Sequence, residues 1–142
     1  MFIKEAISIK ADLEKTYMAF YDFAVWEKVL DDIEKVNIFY DDGIHQEFSM
    51  TVKRPLGLET VKGFRFCLPC SSISLCQTLP PPGFKKMIGE WIFQYKEGVS
   101  SVSAVRFFDL LDKSQEQIVS DKLSGFLRRN LSAFKNFLET SE

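Results

Sequence analysis

Two arginines occur inside apolar, strand-like segments, where a permanently charged side chain is unusual. Arg65 lies in "VKGFRFC" and Arg106 lies in "VSSVSAVRFFDL". Arg106 alternates with Val102, Ala104 and Phe108, so we expect its side chain on the buried, concave face of a strand. A buried guanidinium must be paired or must serve a ligand, because a lone buried charge is very costly. Facing a ligand, such a cation can stabilise negative charge that develops on oxygen.

The alternation around Arg65 allows two directions for its side chain. Arg65 shares a face with Val61, Gly63 and Cys67, but the opposite face also carries apolar residues. For Arg65 and Arg106 alike, a second interpretation stays open. In it the guanidinium pairs with another group of the protein or projects into solvent.

Cysteine and histidine offer the other candidate chemistry. Cys67 and Cys70 form a C-x-x-C pair in "CLPC", and Cys76 follows them. A redox pair of this kind normally opens a helix, whereas this one falls at a strand end. A zinc site needs about four ligands, and no second cysteine pair exists. We therefore expect three unbridged, metal-free cysteines. His45 lies near a hairpin end, which favours a surface position over a role as general base.

The composition excludes some functions and favours a large aromatic interior. The 142 residues include 18 basic and 20 acidic side chains and carry a net charge of −2, without the basic footprint of nucleic-acid binding. Hydrophobic residues make up 46% and include 14 phenylalanines, which predicts a wide core or a ring-lined cavity. The length predicts one domain over residues 1–142. No run approaches the roughly 20 apolar residues of a membrane span, and the N-terminus is unlike a signal peptide, so we expect a cytoplasmic protein.

Hydrophobic periodicity predicts a strand and two helices at the start of the chain. Residues 2–10 alternate as a strand. Asp12 is a plausible N-cap for a helix over residues 13–24. Residues 25–33 predict a second, shorter helix with one apolar face. That face carries Trp26, Val29, Leu30 and Ile33.

The period changes to two between residues 35 and 110, which predicts six antiparallel strands. Asp42-Gly43 and Glu97-Gly98 mark hairpin turns. Between two strands lies "PPPGF", whose three prolines cannot belong to a central ladder. A final helix over residues 115–138 carries one apolar stripe and is the only element able to cover a curved sheet. The stripe consists of Ile118, Leu123, Phe126, Leu127, Leu131, Phe134 and Leu138.

With this order of elements, the sequence resembles the helix-grip fold of the START / Bet v 1-like superfamily. Within it, the sequence resembles the aromatase/cyclases of aromatic polyketide biosynthesis. The matching segments are "FYDFAVWEKVL", "FSMTVKRP", "VKGFRF" and above all "LPPPGFKKMIGEWIF" followed by "SSVSAVRFFDL". The resemblance implies an α+β fold in which a curved, seven-stranded antiparallel sheet wraps around a long C-terminal helix. Two short helices would lie between the first and second strands, and an internal cavity would open beside the proline-rich loop.

The resemblance also implies a function. A poly-β-ketone tethered to an acyl carrier protein would fold in the cavity and undergo aldol ring closure and dehydration to an aromatic ring. Arg65 and Arg106 would be the catalytic residues, and no metal or redox cofactor is implied. The expected partners are the carrier protein and the small-molecule polyketide, with the chain a monomer or homodimer. The substrate-binding residues would be Trp26, Leu30, Phe48, Met50, Val52, Gly63, Phe84, Trp91 and Phe108.

Three positions depart from the family pattern. Glu27 replaces a corner proline, Gly63 replaces a hydroxyl residue two before the strand arginine, and Ile33 replaces a tyrosine. The most obvious proton donors are therefore missing. A second function therefore stays open, in which the protein is a non-catalytic carrier of a hydrophobic lipid, quinone or aromatic product. Arg106 on an apolar face favours the enzyme, because a carrier tolerates a purely apolar lining.

Overall fold

A computed structural model describes residues 1–140 of the chain; the last two residues of the expected domain, Ser141 and Glu142, lie outside the described residues. The elements follow the order expected from the sequence. They are β1 (Phe2–Ile9), α1 (Leu13–Tyr21), α2 (Phe23–Val29), β2 (Ile33–Asp41), β3 (His45–Arg54), β4 (Gly57–Leu68), β5 (Ser72–Leu79), β6 (Phe84–Lys96), β7 (Val99–Leu110) and α3 (Glu116–Thr140), the last preceded by a 3₁₀ turn at Lys113–Gln115.

The sheet has the antiparallel topology that the sequence predicts. Within residues 1–140, seven strands form one sheet in the order β1-β7-β6-β5-β4-β3-β2. Successive hairpins join β2 to β7, and β1 pairs antiparallel with β7 at the far edge. None of the helices in this range is long and apolar enough to cross a membrane.

The two expected hairpin turns form where their residue types allow. Gly43 has a φ of 89°, and the carboxylate of Asp42 accepts hydrogen bonds from the backbone N–H groups of Ile44 and His45. At the other turn, Glu97 and Gly98 have φ values of 51° and 84°. Two central residues with positive φ characterise the type I′ turn, whose twist matches that of the flanking strands.

The corner between the first two helices depends on aspartate caps. The carboxylate of Asp12 accepts the N–H of Lys15 at 2.7 Å, which confirms it as the N-cap of α1. This helix ends earlier than expected, at Tyr21. Asp22 has extended backbone angles, and its carboxylate accepts the N–H of Ala24 at 2.9 Å, so it begins a new helix instead of continuing the old one.

Two apolar residues lie elsewhere than the helical spacing predicts. Ile33 is not the end of a helix but the first residue of β2, paired with Val52, because Leu30 leaves the helix with extended backbone angles. Ile118 was expected in the buried stripe of the last helix, but its side chain is half exposed. The first turn of α3 instead packs Val119 against the core.

An aromatic cluster joins the helices to the sheet. Phe20 of α1 stacks on Phe134 of α3 with ring centroids 4.1 Å apart, and its ring lies 5.0 Å from that of Trp91 on β6. Trp26 of α2 completes the cluster, 5.7 Å from Trp91 and 5.3 Å from Phe134. Of the other stripe residues on α3, Leu127, Leu131 and Leu138 are buried as expected, whereas Leu123 and Phe126 are partly buried.

Candidate active site

A cavity of about 520 Å³ is lined by side chains of α2, the strands, α3 and the loops between them. Its volume is that of an ordinary small-molecule site. The cavity brings together most of the residues expected at the site, and their roles towards a ligand stay predictions. Those that line it are Arg65, Arg106, Trp26, Leu30, Phe48, Met50, Val52, Phe84 and Trp91.

Two expected residues are not among the described residues that line the cavity. Gly63 lies at an irregularity between β4 and β5, where an added Cβ would approach the backbone oxygen of Cys76 to 2.6 Å. Its lack of a side chain therefore permits close approach of two strands. Phe108 is buried in a smaller apolar cluster with Met87. Its ring lies 5.6 Å from that of Phe84, so it supports the cavity wall from behind.

The proline-rich loop forms part of the cavity lining. Pro81 and Pro82 line the cavity together with Phe84, the first residue of β6. The turn is closed by the N–H of Phe84, which donates to the backbone oxygen of Pro81 at 3.1 Å. Because proline fixes φ, the loop holds this aromatic ring with little freedom.

The side chain of Arg65 points into the protein. Val61, Cys67 and Arg65 share the buried face of β4, whereas Phe64 and Phe66 on the other face are 49% and 42% exposed. The phenylalanines therefore occupy the outer surface of the sheet. Of the two directions that the alternation allowed, the structure has the inward one.

Groups of the protein surround the guanidinium of Arg65. Its Nε donates to Oε1 of Gln46 at 2.7 Å, its Nη1 to the backbone oxygen of Phe20 at 2.9 Å, and its Nη2 to the backbone oxygen of Tyr21. Those two carbonyls stand at the C-terminal end of α1, where backbone oxygens lack helical partners and carry partial negative charge. The guanidinium also lies 4.0 Å over the ring of Phe23. Arg65 thus ties the helix corner to the sheet.

A short hydrogen-bond network extends from Arg65. Gln46 donates from Nε2 to Asp41 at 3.0 Å, and the hydroxyl of Tyr21 donates to the same carboxylate at 2.7 Å. Burial raises the pKa of Asp41, but hydrogen bonds from Gly43, Tyr21 and Gln46 outweigh it and leave the pKa below its usual value. Burial, together with the hydrogen bond to Asp41, raises the pKa of Tyr21 to about 12. The network joins three strands to α1.

Arg106 has a very different environment. Its side chain is 8% exposed and lines the cavity, and its Nη1 donates to the backbone oxygen of Val105 at 2.8 Å. The guanidinium lies 4.8 Å over the ring of Trp91. Gly89 stands opposite on β6, and a Cβ there would come within 2.7 Å of two atoms of Arg106. The missing side chain of Gly89 therefore leaves room beside Trp91, and Arg106 fills this room.

Part of the cavity lining consists of paired charges that the sequence pattern does not reveal. Arg54 lies 3.4 Å from Asp32 and 3.4 Å from Glu59, and its guanidinium is 5.6 Å over the ring of Phe126. All four residues line the cavity. The three charged residues come from separate strands or loops, so no local spacing could have grouped them. Gln46 was detectable, because it is a polar residue on the apolar face of β3.

The remaining candidate groups lie away from the cavity. His45 is exposed, and its Nδ1 lies 3.0 Å from the carboxylate of Asp42, in agreement with a surface position. Cys67, Cys70 and Cys76 are free thiols, of which the first is buried. Within residues 1–140, no group of three or more potential metal ligands occurs. The expectation of a metal-free protein stays a prediction.

No family model matches the sequence, and no curated protein matches it. Solved structures do match. The di-domain aromatase/cyclase StfQ of the steffimycin biosynthetic pathway has a TM-score of 0.80 and 20% identity, over 97% of this chain and 50% of that one. Zhui aromatase/cyclase from Streptomyces sp. R1128 has a TM-score of 0.83 and 16% identity, over 98% and 93%. A START superfamily protein from Mycobacterium smegmatis has a TM-score of 0.81 and 14% identity, over 97% of both chains.

These likenesses define the fold. The chain has the helix-grip fold of the START / Bet v 1-like superfamily, with a curved antiparallel sheet around a long C-terminal helix. The expected resemblance to aromatase/cyclases of this superfamily is thereby confirmed at the level of the fold. The chain spans about half the length of the di-domain protein StfQ.

Proposed function

We propose that this protein is a polyketide aromatase/cyclase. Its cavity would accept a poly-β-ketone tethered to an acyl carrier protein and direct aldol ring closure followed by dehydration to an aromatic ring. The fold that it shares with proteins described as aromatase/cyclases supports this proposal. The volume of about 520 Å³ and the rings of Trp26, Phe48 and Trp91 suit a folded, planar substrate.

One observation carries the proposal: a guanidinium without an acidic partner lies in an aromatic cavity wall. A cavity that only stores apolar ligands gains nothing from such a cation. Arg106 lies over Trp91, and of its five N–H donors one is used by the backbone oxygen of Val105. The remaining donors are suited to an oxygen that becomes negative during a reaction.

The chemistry assigns a step to this cation. A methylene between two carbonyls loses a proton, and its carbon forms a bond to a distant carbonyl carbon of the same chain. The oxygen of the attacked carbonyl takes up the electron pair of the broken C=O π bond, and Arg106 would donate hydrogen bonds to that oxygen. Protonation of the oxygen, loss of water together with a proton from the neighbouring carbon, and enolisation of the remaining ring ketones then give the aromatic ring. The aromatic lining would also accelerate ring closure, because it would hold the two reacting carbons close together.

Arg65 has a positioning role in this proposal. It lines the cavity, but Gln46 and the carbonyls of Phe20 and Tyr21 already accept three of its N–H donors. We assign it to holding the wall that carries Phe23 and Trp26. Because Gly63 and Ile33 provide no hydroxyl, we assign the proton transfers to water and to the acidic positions of the substrate itself.

Reconstitution with a minimal polyketide synthase tests the function. We expect the wild-type protein to direct ring closure, and Arg106→Met to slow it about 100- to 1000-fold, the effect of losing one oxyanion donor. Arg106→Lys should recover part of the rate, because an ammonium lacks the planar fork. Arg129→Met, on the exposed side of α3, is the matched control and should behave as wild type. Equal products with and without the protein would refute the proposal.

A second candidate function is a non-catalytic carrier of a hydrophobic small molecule. The absence of a hydroxyl or carboxylic acid free to transfer protons at Gly63 and Ile33 favours it. A carrier would bind a finished aromatic product tightly and leave the product distribution of the synthase unchanged. The same reconstitution therefore separates the two functions.

A further inference from the structure

The charge distribution of the cavity lining is asymmetric. Among the described residues, four basic side chains and two acidic side chains line it. Both acids, Asp32 and Glu59, are already paired with one of the bases, Arg54, at 3.4 Å each. The lining is therefore positive overall. Its acids do not neutralise the cation on the inner wall, the part of the lining formed by β6 and β7.

On the inner wall that cation is Arg106, because Arg65 donates to three acceptors of the protein and Lys122 is exposed on α3. Within residues 1–140, no carboxylate lies within 4 Å of its guanidinium, and the backbone oxygen of Val105 is its hydrogen-bond partner. Burial lowers the pKa of Arg106 to about 10, with no neighbouring charge acting in the other direction. A buried charge normally has a partner, because burying an unpaired one is costly.

The backbone opposite is built to accept this side chain. Gly89 pairs directly with Arg106 across β6 and β7, and a Cβ at Gly89 would lie 2.7 Å from both Cδ and Nη1 of the arginine. The indole of Trp91, two residues further on, lies beneath the guanidinium at 4.8 Å. The missing Cβ and the ring together fix the position of a cation that has little to bind within the protein.

We propose that Arg106 forms an oxyanion-binding site on the inner wall, so that the cavity selects planar aromatic ligands carrying an oxyanion over neutral ligands of the same size. The oxyanion can be a carboxylate, as in an aromatic acid, or the enolate of a 1,3-dicarbonyl. A guanidinium presents several N–H donors in one plane, and charge-assisted hydrogen bonds to such oxygens are the stronger kind. The inference deepens the proposed function and rests on its cavity, but not on its ring-closure chemistry.

A pair of probes of equal shape tests the selection. 2-Naphthoic acid is ionised at pH 7.5, whereas 2-naphthamide is neutral and almost the same size. Both tryptophans of the chain line the cavity, so quenching of intrinsic fluorescence reports binding, with calorimetry as a second measurement. We expect the wild-type protein to bind the acid at least about tenfold more tightly than the amide, which corresponds to about 1.4 kcal/mol.

Variants assign the selection to one residue. Arg106→Met should abolish the preference while leaving the affinity for the amide nearly unchanged, and Arg106→Lys should keep part of it. Arg129→Met removes the same charge from the exposed side of α3 and should keep the full preference. Circular dichroism and melting temperature establish that each variant folds, and Arg106→Gln replaces the methionine variant if that one does not.

A third probe tests whether the site binds an enolate. 1-(Naphthalen-2-yl)butane-1,3-dione absorbs differently as enol and enolate, so absorbance reports its ionisation when bound. We expect the wild-type protein, but not Arg106→Met, to increase the enolate fraction at pH 7.5. A response to this diketone without a preference for naphthoate identifies an enolate site, and the reverse identifies a carboxylate site.

Equal affinities for acid and amide, together with an unchanged enolate fraction, would overturn the inference. The inference would also be overturned if Arg106→Met kept the preference for the acid or the increase in the enolate fraction. Failure of the cavity to bind either probe would overturn it too. None of these measurements involves a synthase. Loss of ring closure with intact oxyanion selection would therefore count against the proposed enzyme and leave the binding site standing.

Discussion

Arg65 and Arg106 are two buried arginines on one cavity wall, but they are bound in opposite ways. Arg65 donates to a side-chain amide and to two carbonyls at the end of α1. Burial lowers the pKa of each to about 10, but only for Arg65 do nearby groups, Cys67 foremost, act in the other direction. Arg106 has a backbone oxygen, an aromatic ring and the space above Gly89.

The difference shows that burial of a charge does not by itself indicate a catalytic role. A guanidinium whose donors are used by the protein stabilises the fold, and removing it leaves buried acceptors unsatisfied. A guanidinium whose donors face a cavity costs stability and is suited to a ligand. The two sites can therefore be separated by measuring stability and ligand binding on the same variants.

The largest expected effect on stability is that of Arg65→Met. It removes the donor to Oε1 of Gln46 and to the partly buried oxygen of Tyr21, whereas the oxygen of Phe20 keeps a hydrogen bond from Nε1 of Trp26 at 2.8 Å. We therefore expect the free energy of unfolding to fall by about 2–4 kcal/mol. Arg106→Met is the matched control and should change it by less than about 1 kcal/mol. Urea unfolding followed by circular dichroism measures both. Equal losses in the two variants would remove the distinction between a structural and a ligand-facing arginine.

Gly89→Ala should have the next largest effect. The added Cβ would approach the backbone oxygen of Val105 to 2.6 Å and the side chain of Arg106 to 2.7 Å. We expect a loss of about 1–3 kcal/mol from overpacking, together with weaker binding of naphthoate.

Gly125→Ala is the control for this substitution. In α3 an added Cβ meets its nearest neighbour, Nη1 of Arg129, at 3.4 Å, so alanine should stabilise the helix by up to about 1 kcal/mol. Unfolding curves and naphthoate titrations of both variants make the comparison. A Gly89→Ala protein with unchanged stability and binding would show that Arg106 does not depend on the missing side chain.

The smallest effect concerns alkaline pH. Tyr21 ionises near pH 10 in the unfolded chain, but burial and its hydrogen bond to Asp41 raise its pKa in the fold to about 12. Between these values the folded state holds more protons than the unfolded state, so stability falls as pH rises and is fully retained below pH 10. Tyr21→Phe should make this fall shallower. Urea unfolding at several pH values from 9 to 11.5 measures the slope, and an unchanged slope would exclude Tyr21 as a contributor.

Much of the fold followed from local patterns. Alternation placed the strands, Asp12 and the two glycine turns marked element ends, and spacing of apolar residues identified the long helix. The inward direction of Arg106 also followed from alternation, because side chains of a strand point to opposite faces in turn. The errors were the end of α1, which stops at Tyr21, and the apolar residues Ile33 and Ile118, of which the first belongs to β2 and the second lies on the exposed side of α3.

The sequence alone determined that Arg106 points inward and restricted Arg65 to two directions, and only the tertiary structure decided which direction Arg65 takes and which groups each arginine contacts. Direction is a local property, since it depends on the period of a single strand. Partners are not local: Phe20 lies 45 residues from Arg65 in the chain, and the end of α1 reaches it only after the sheet and helices pack. Arg106 has no such group within reach, because the residue across from it is Gly89 and the space beyond is the cavity.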